Sequence, residues 1–207
     1  MITTRWCWIR HAPVVGHKGR LYGQTDVACD CTDSATFRAV ARLLPEAATL
    51  VTTPLTRTIR TAEAIEKAGA RFADRLVEPD FMEQDFGQWT DLTWDEMKAR
   101  DPALYERFWQ DPEANAPPGG ESFVDLISRT GEAIDQLNRS LNGGDIVAVA
   151  HAGTIRSALA RALDLKPEQA LTLVIDNVSL TRLDYLKPED GPGQWRLKLM
   201  NWTEVPR

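Results

Sequence analysis

Ile146-Val147-Ala148-Val149-Ala150 is an unbroken apolar run between Gly143-Gly144-Asp145 and His151. A run this short, without polar interruption, reads as a strand covered on both faces, as in a parallel sheet with helices on either side. Trp6-Cys7-Trp8-Ile9 is a second such run and ends at Arg10-His11; residues 50–53 make a third. Longer stretches with helical periodicity separate them. One covers 34–44 and is stopped by Pro45; another carries Leu55, Ile59, Ala62 and Ile65 behind Pro54 and stops near Gly69. A third carries Phe123, Leu126, Ile127, Thr130, Ile134, Leu137 and Leu141, opened by a Ser122/Asp125 capping box and closed by Asn142-Gly143-Gly144. Ile155, Ala158, Leu159, Ala162 and Leu163 give a helix after His151. The tail has strand signals at 171–175 and 178–185. A turn of Pro188, Gly191, Pro192 and Gly193 leads to a strand alternating Trp195, Leu197 and Leu199 with Arg196 and Lys198. The pattern predicts an α/β three-layer sandwich: a mostly parallel central sheet with an antiparallel edge from the C-terminal strands.

The 207 residues suit a single domain, 1–207. Within it, about 78–121 differs in texture. It is rich in Asp, Glu, Trp and Pro, with helical stretches near 93–100 and 102–110 and the loop Ala116-Pro117-Pro118-Gly119-Gly120. This reads as a small helical cap inserted over one end of the main fold. A net charge of −6 with no basic patch argues against nucleic acid and anionic membrane as partners. No apolar stretch approaches a membrane span, and MITTRWCWIRH lacks the apolar core of a signal peptide, so the expectation is a cytoplasmic protein, monomer or homodimer. Cys29-x-Cys31 has the form of half a metal site, but with three cysteines and three histidines in the chain no second pair sits at ligand spacing. Free thiols, no metal and no cofactor are expected.

In an open α/β sheet the ligand sits beyond the carboxyl ends of the strands. The first strand ends in Arg10-His11, the second leads through Thr53-Pro54-Leu55 to Arg57, and the apolar run ends in His151. Parallel strands bring these ends to one edge. Two guanidiniums gathered there repel each other unless an anion lies between them, and their planar forks match phosphate oxygens. Backbone N–H groups at the helix start near Ala152 and Gly153 add to such a site. A neutral imidazole can attack phosphorus, and a second, protonated one can stabilise charge on the group in transit. The leaving oxygen needs a proton, and Glu83, in the cap-like segment, is placed to reach over the pocket.

WIRHAPV, TTPLTRTIRTAEAI, FMEQDFGQW, PPGGES and VAVAHAGTIRSAL, in that order and spacing, resemble the histidine phosphatase superfamily, the phosphoglycerate-mutase-like fold. The resemblance runs from residue 6 to about 185. It implies a phosphohistidine intermediate on His11, with Arg10, Arg57 and His151 binding the phosphoryl group. It also implies that Glu83 acts as acid in the first step and as base in the second, without a metal. The chain departs from the pattern at four places. Ala12 and Ala152 stand where the family has Gly, Arg60 where it has Gln, and Thr90-Asp91 where it has Glu-Gly.

The segment around Glu83 looks like the phosphatase branch. Arg20 to Val27 is similar to the loop of alpha-ribazole phosphatase-like members, which adds Tyr22 and Gly23 as substrate-binding candidates. His17 joins them because the family places a phosphate-contacting polar residue near that point. The implied activity is a metal-independent phosphomonoesterase acting on a small phosphorylated metabolite, with alpha-ribazole 5′-phosphate as a lead. Two alternatives stand beside it: a phosphoglycerate mutase-type isomerase, and an inactive module that binds phosphorylated ligands.

Overall fold

The computed structural model describes residues 1–204. Its centre is a six-stranded sheet in the order β3-β2-β4-β1-β5-β6. The strands are β1 (Ile2–Arg10), β2 (Ala48–Thr52), β3 (Phe72–Val77), β4 (Gly144–Ala150), β5 (Leu180–Lys187) and β6 (Gln194–Trp202). β3, β2, β4 and β1 are mutually parallel, while β5 and β6 are antiparallel, which is the expected C-terminal edge.

Alternation along the strands divides the core. Trp6, Trp8, Ile146, Ala148 and Ala150 point to one face, where they meet Ile134 and Leu137 of α5 (Phe123–Leu141) and Ile155 and Leu159 of α6 (Ala152–Leu163). Cys7, Ile9, Val147 and Val149 point to the other, against Phe37 and Val40 of α1 (Ser34–Ala41) and Ala62 and Ile65 of α2 (Thr56–Lys67). These two faces are the outer layers of the predicted sandwich. The predicted capping box is present on α5, whose helix ends at Asn142 in the left-handed conformation.

Residues 78–121 lie between β3 and α5 and contain α3 (Trp94–Arg100) and α4 (Pro102–Gln110). Trp89, Met97 and Phe108 form a buried cluster there, apart from the two sheet faces. Two readings of the sequence need correction. Residues 171–175 are not a strand. Leu171 ends a short helix, α7 (Pro167–Leu171), whose Ala170 packs on Phe123 and Leu126, and the rest is irregular chain. Proline at its start and burial of Ala170 outweigh the β-branched composition that follows. β3, unassigned from the sequence, is an edge strand whose side chains are almost all exposed. Backbone pairing to β2 defines it, so no apolar pattern announces it.

Candidate active site

β1 and β4 are parallel neighbours with Arg10 opposite Ala150, so Arg10-His11 and His151 leave the sheet at the same edge. β2, on the other side of β4, brings Thr53 to that edge and α2 after it. The His11 amide donates to the Ala150 carbonyl at 2.9 Å, and Asn177 Nδ2 donates to the His11 carbonyl at 2.8 Å. The Ala12 amide donates to Thr61 Oγ1 at 2.8 Å, and that hydroxyl donates to the Arg57 carbonyl at 2.7 Å. The turn carrying the histidine is thereby fixed from three directions.

His11 Nδ1 lies 2.7 Å from the Ala12 carbonyl oxygen. A carbonyl can only accept, so Nδ1 carries the hydrogen and Nε2 keeps its lone pair. The His11 and His151 ring centroids are 5.2 Å apart. Arg57 Nε, a donor only, lies 3.3 Å from His151 Nδ1; Nε2 of that ring, 3.1 Å from Thr53 Oγ1, then carries the hydrogen. Arg57 is fully buried, and two of its four remaining N–H groups reach the Gly23 carbonyl at 2.6 Å and the Thr25 carbonyl at 2.7 Å. Arg10 Nη1 donates to the Ile175 carbonyl at 2.6 Å, and its Nε is buried with no hydrogen-bond partner among the described residues. A buried guanidinium donor left unpaired is a site for an acceptor, and the charge selects an anion.

Burial, aided by the Arg57 and Arg10 charges, pushes the His11 pKa down to about 3. Burial, then His11 and the neighbouring arginines, hold His151 well below its ordinary value. Burial and the protein's own charges thus both favour the neutral form of each ring. A dianion bound between the rings would act on His151 in the opposite sense. The sign for stability follows. The unfolded chain takes up a proton on His11 below about pH 6.5 and the native chain does not until about pH 3. Stability is lost as pH falls through that window, by up to about 1.4 kcal/mol per pH unit for this residue. Urea unfolding at pH 4–6 should show a shallower pH slope for His11→Asn than for the native chain.

Glu83 reaches this edge from the 78–121 segment. Its Oε2 accepts from the Gly153 amide at 3.3 Å, in the first turn of α6 immediately after His151, and its Oε1 accepts from the Gln84 amide at 3.0 Å. Arg129 of α5 fastens the backbone behind it. That guanidinium donates to the carbonyls of Asp80, Met82 and Glu83 at 2.6, 2.9 and 3.1 Å, while pairing with Glu121 at 2.7 Å. Gly153 has no room for a side chain, because a Cβ there overlaps Glu83 Oε1 and stands 2.9 Å from Leu126 Cδ2. Gly153→Ala should lower kcat about 10- to 100-fold by displacing the carboxyl. Steady-state kinetics on a folded variant, verified by thermal melting, checks this.

The remaining candidates fall in different places. Tyr22 is in the site: its ring is 6.2 Å from that of His11, and Arg57 Cζ lies 5.1 Å from its centroid. Gly23 contributes through its backbone, accepting from Arg57 at φ +42°, where a Cβ would stand 2.9 Å from the Gln84 carbonyl. His17 is one ring further out, 6.3 Å from Tyr22 and 3.4 Å from the Asp91 carboxylate. Ala152 opens α6 and packs against the core. Arg60 faces solvent and pairs with Glu63 at 2.8 Å. Cys29 and Cys31 are unbridged, with sulfurs 3.6 Å apart. The sequence does not single out Thr53, Thr61, Arg129 or Asn177 as site residues. The threonines lie in the motif around Arg57, but nothing local marks Arg129 or Asn177.

The chain matches the profile of the histidine phosphatase superfamily, branch 1, over residues 6–203. It belongs to that family. Bifunctional protein Rv2228c of Mycobacterium tuberculosis is 35% identical over 150 residues, which is 72% of this chain and 40% of that protein. This chain thus spans about two fifths of the length of that relative. Glucosyl-3-phosphoglycerate phosphatase of Mycolicibacterium vanbaalenii is 28% identical over 221 residues, covering 97% of this chain and 96% of that one. The alpha-ribazole phosphatase of Shigella flexneri superposes with a TM-score of 0.80 over 96% of both chains at 20% identity, a likeness of fold. Among the described residues no helix is long and apolar enough to cross a membrane, and no group of three metal-ligating side chains occurs.

Proposed function

We propose that this histidine phosphatase is a phosphomonoesterase acting on a small phosphorylated metabolite through a phosphohistidine on His11. The observation that carries this reading is the Nδ1 hydrogen bond of His11 to its own chain, which leaves a bare Nε2 among two guanidiniums and a second imidazole. Arg10, Arg57 and His151 bind the phosphoryl oxygens, and His151 gains its proton as the dianion enters. His11 Nε2 attacks phosphorus in line while the bond from phosphorus to the ester oxygen breaks. Glu83 gives that oxygen its proton. Water then attacks the phosphohistidine, Glu83 takes the water's proton, and the P–N bond breaks to release phosphate and restore Nε2. Neutrality of His11 down to about pH 3 keeps the nucleophile available across the physiological range.

Alpha-ribazole 5′-phosphate remains the candidate substrate suggested by the loop from Arg20 to Val27. Phosphate release from a panel containing it, 3-phosphoglycerate, phosphoserine and nucleoside monophosphates tests the reading. Release of inorganic phosphate supports it. Conversion of 3-phosphoglycerate to its isomer without release points to mutase chemistry, and binding without turnover points to an inactive module. Because the ring at 151 is neutral until the dianion enters, phosphate binding should take up a proton. Calorimetry in buffers of different ionisation enthalpy measures that uptake.

A further inference from the structure

The peptide between His11 and Ala12 is held at both of its polar ends. Its carbonyl oxygen accepts from Asn177 Nδ2 at 2.8 Å, and its amide donates to Thr61 Oγ1 at 2.8 Å. Thr61 is buried on α2, and Asn177 lies half-buried in the connection between α7 and β5. A planar peptide whose oxygen and N–H are both fixed has one orientation. This one joins the nucleophile to the residue whose carbonyl takes its Nδ1 hydrogen. Rotating the plane turns ψ of His11 and φ of Ala12, and so moves that carbonyl away from the ring. The tautomer of a histidine is set by the bond its other nitrogen makes, so the orientation of this plane governs whether Nε2 is bare.

The backbone that aims Asn177 is strained. The Ser179 amide donates to the Asp176 carbonyl at 3.2 Å, closing a turn with Asn177 and Val178 at its centre. Val178 has φ +57°, a conformation that suits Gly or Asn and that a β-branched residue rarely takes. Three contacts impose it. The valine side chain is buried in the cluster that holds Ile9 and Ala12, and its amide donates to the Arg10 carbonyl at 2.9 Å. Asn201 of β6 grips the start of the turn, accepting from the Asp176 amide at 2.7 Å and donating to the Asp176 carboxylate at 2.9 Å. Asn201 is itself left-handed, φ +49°, within the register shift between β5 and β6. Strain of this kind persists only where the surroundings impose it, and it gathers at functional sites. We propose that Asn177 is a positioning residue for phosphoryl transfer: with Thr61 it clamps the His11–Ala12 peptide plane and so keeps Nε2 of the nucleophile free of hydrogen. This rests on the phosphohistidine reading and adds the device that prepares His11 for it.

Asn177→Ala opens one end of the clamp and leaves the Ile175 carbonyl and the Val178 amide on Arg10. The rate of phosphoenzyme formation from p-nitrophenyl phosphate should fall about 10- to 100-fold, while inhibition by inorganic phosphate changes less than about threefold. Asn177→Asp has the same shape but no hydrogen to donate, and should lose as much; a side chain that only fills space would be replaced without loss. Adding Asn177→Ala to Thr61→Val should slow the step little further, because either release frees the plane. The imidazole nitrogen NMR resonances of His11, identified by their absence in His11→Asn, read the tautomer without turnover. They should show hydrogen on Nδ1 in the native chain and shared between the two nitrogens in Asn177→Ala. Native-like phosphorylation in Asn177→Ala, multiplying losses in the double variant, or an undisturbed tautomer would each overturn the proposal. So would an equal loss of phosphate affinity, which would make Asn177 a support for Arg10 instead. If the native enzyme forms no phosphoenzyme, the phosphohistidine reading fails by itself, and the tautomer alone then decides whether the clamp exists.

Discussion

His11→Ala should abolish turnover, lowering kcat by at least about 10⁴-fold, and should eliminate acid-labile labelling of the protein by a phosphate-labelled substrate. Few substitutions in this chain should cost as much, because no other described side chain combines a free lone pair with this position. His151 is close, but its Nδ1 accepts from Arg57 and its Nε2–H is directed towards Thr53. The Tyr22 ring lies against His11 and Arg57 and carries no lone pair of this kind. Phosphate affinity should fall far less than turnover, since Arg10 and Arg57 reach backbone carbonyls that the substitution leaves in place. Rapid quench with labelled substrate reads the intermediate directly. Labelling that persists in His11→Ala would move the nucleophile elsewhere and dismantle the mechanism.

Glu83→Gln should separate the two half-reactions. An alkyl phosphate has a poor leaving group, and loss of the proton donor should slow its turnover about 10²- to 10⁴-fold. p-Nitrophenyl phosphate releases a stable phenolate without help, so its first step should lose much less. Its second step still lacks the base that activates water, so phosphoenzyme should accumulate, seen as a burst of p-nitrophenol of about one equivalent. The glutamine retains an oxygen for one of the two amides that hold the carboxylate, and the Arg129 contacts to the carbonyls of Asp80, Met82 and Glu83 keep the segment in place. Undiminished activity on the alkyl ester would show that another group is the acid. Gly153→Ala probes the same carboxyl by displacement, and the two variants should share a leaving-group dependence that a general folding defect would not produce.

Legibility in the sequence followed burial. β4 and β1 are sealed on both faces, so their residues had to be apolar and their ends were visible as abrupt changes at His151 and Arg10. β3 needed only backbone partners on one side and left no pattern in Phe72–Val77. The segment 171–175 misled because β-branched composition describes a preference, whereas packing of Ala170 against Phe123 and Leu126 decided the conformation. Among the candidate site residues, those at strand ends follow from topology, while Glu83 is set apart from its neighbouring carboxylates only by the motif it shares with the family. Competing carboxylates at Glu78, Asp80 and Asp85 lie on the same stretch. In the structure Asp85 holds the Gly87 amide and Glu78 caps a turn, so Glu83 is the one of this group directed to the start of α6.

The sequence by itself determined the layered α/β architecture, the parallel order that gathers Arg10, His11, Arg57 and His151, and the class of anion they suit. Only the tertiary structure decided which nitrogen of each histidine carries the hydrogen, and how Arg129 and Gly153 hold Glu83 in reach. The division is physical. Periodicity and strand-end chemistry are local and survive in a linear string. Tautomers, carboxyl placement and the reach of a guanidinium depend on partners dozens of residues away, brought within 3 or so Å only when the layers pack.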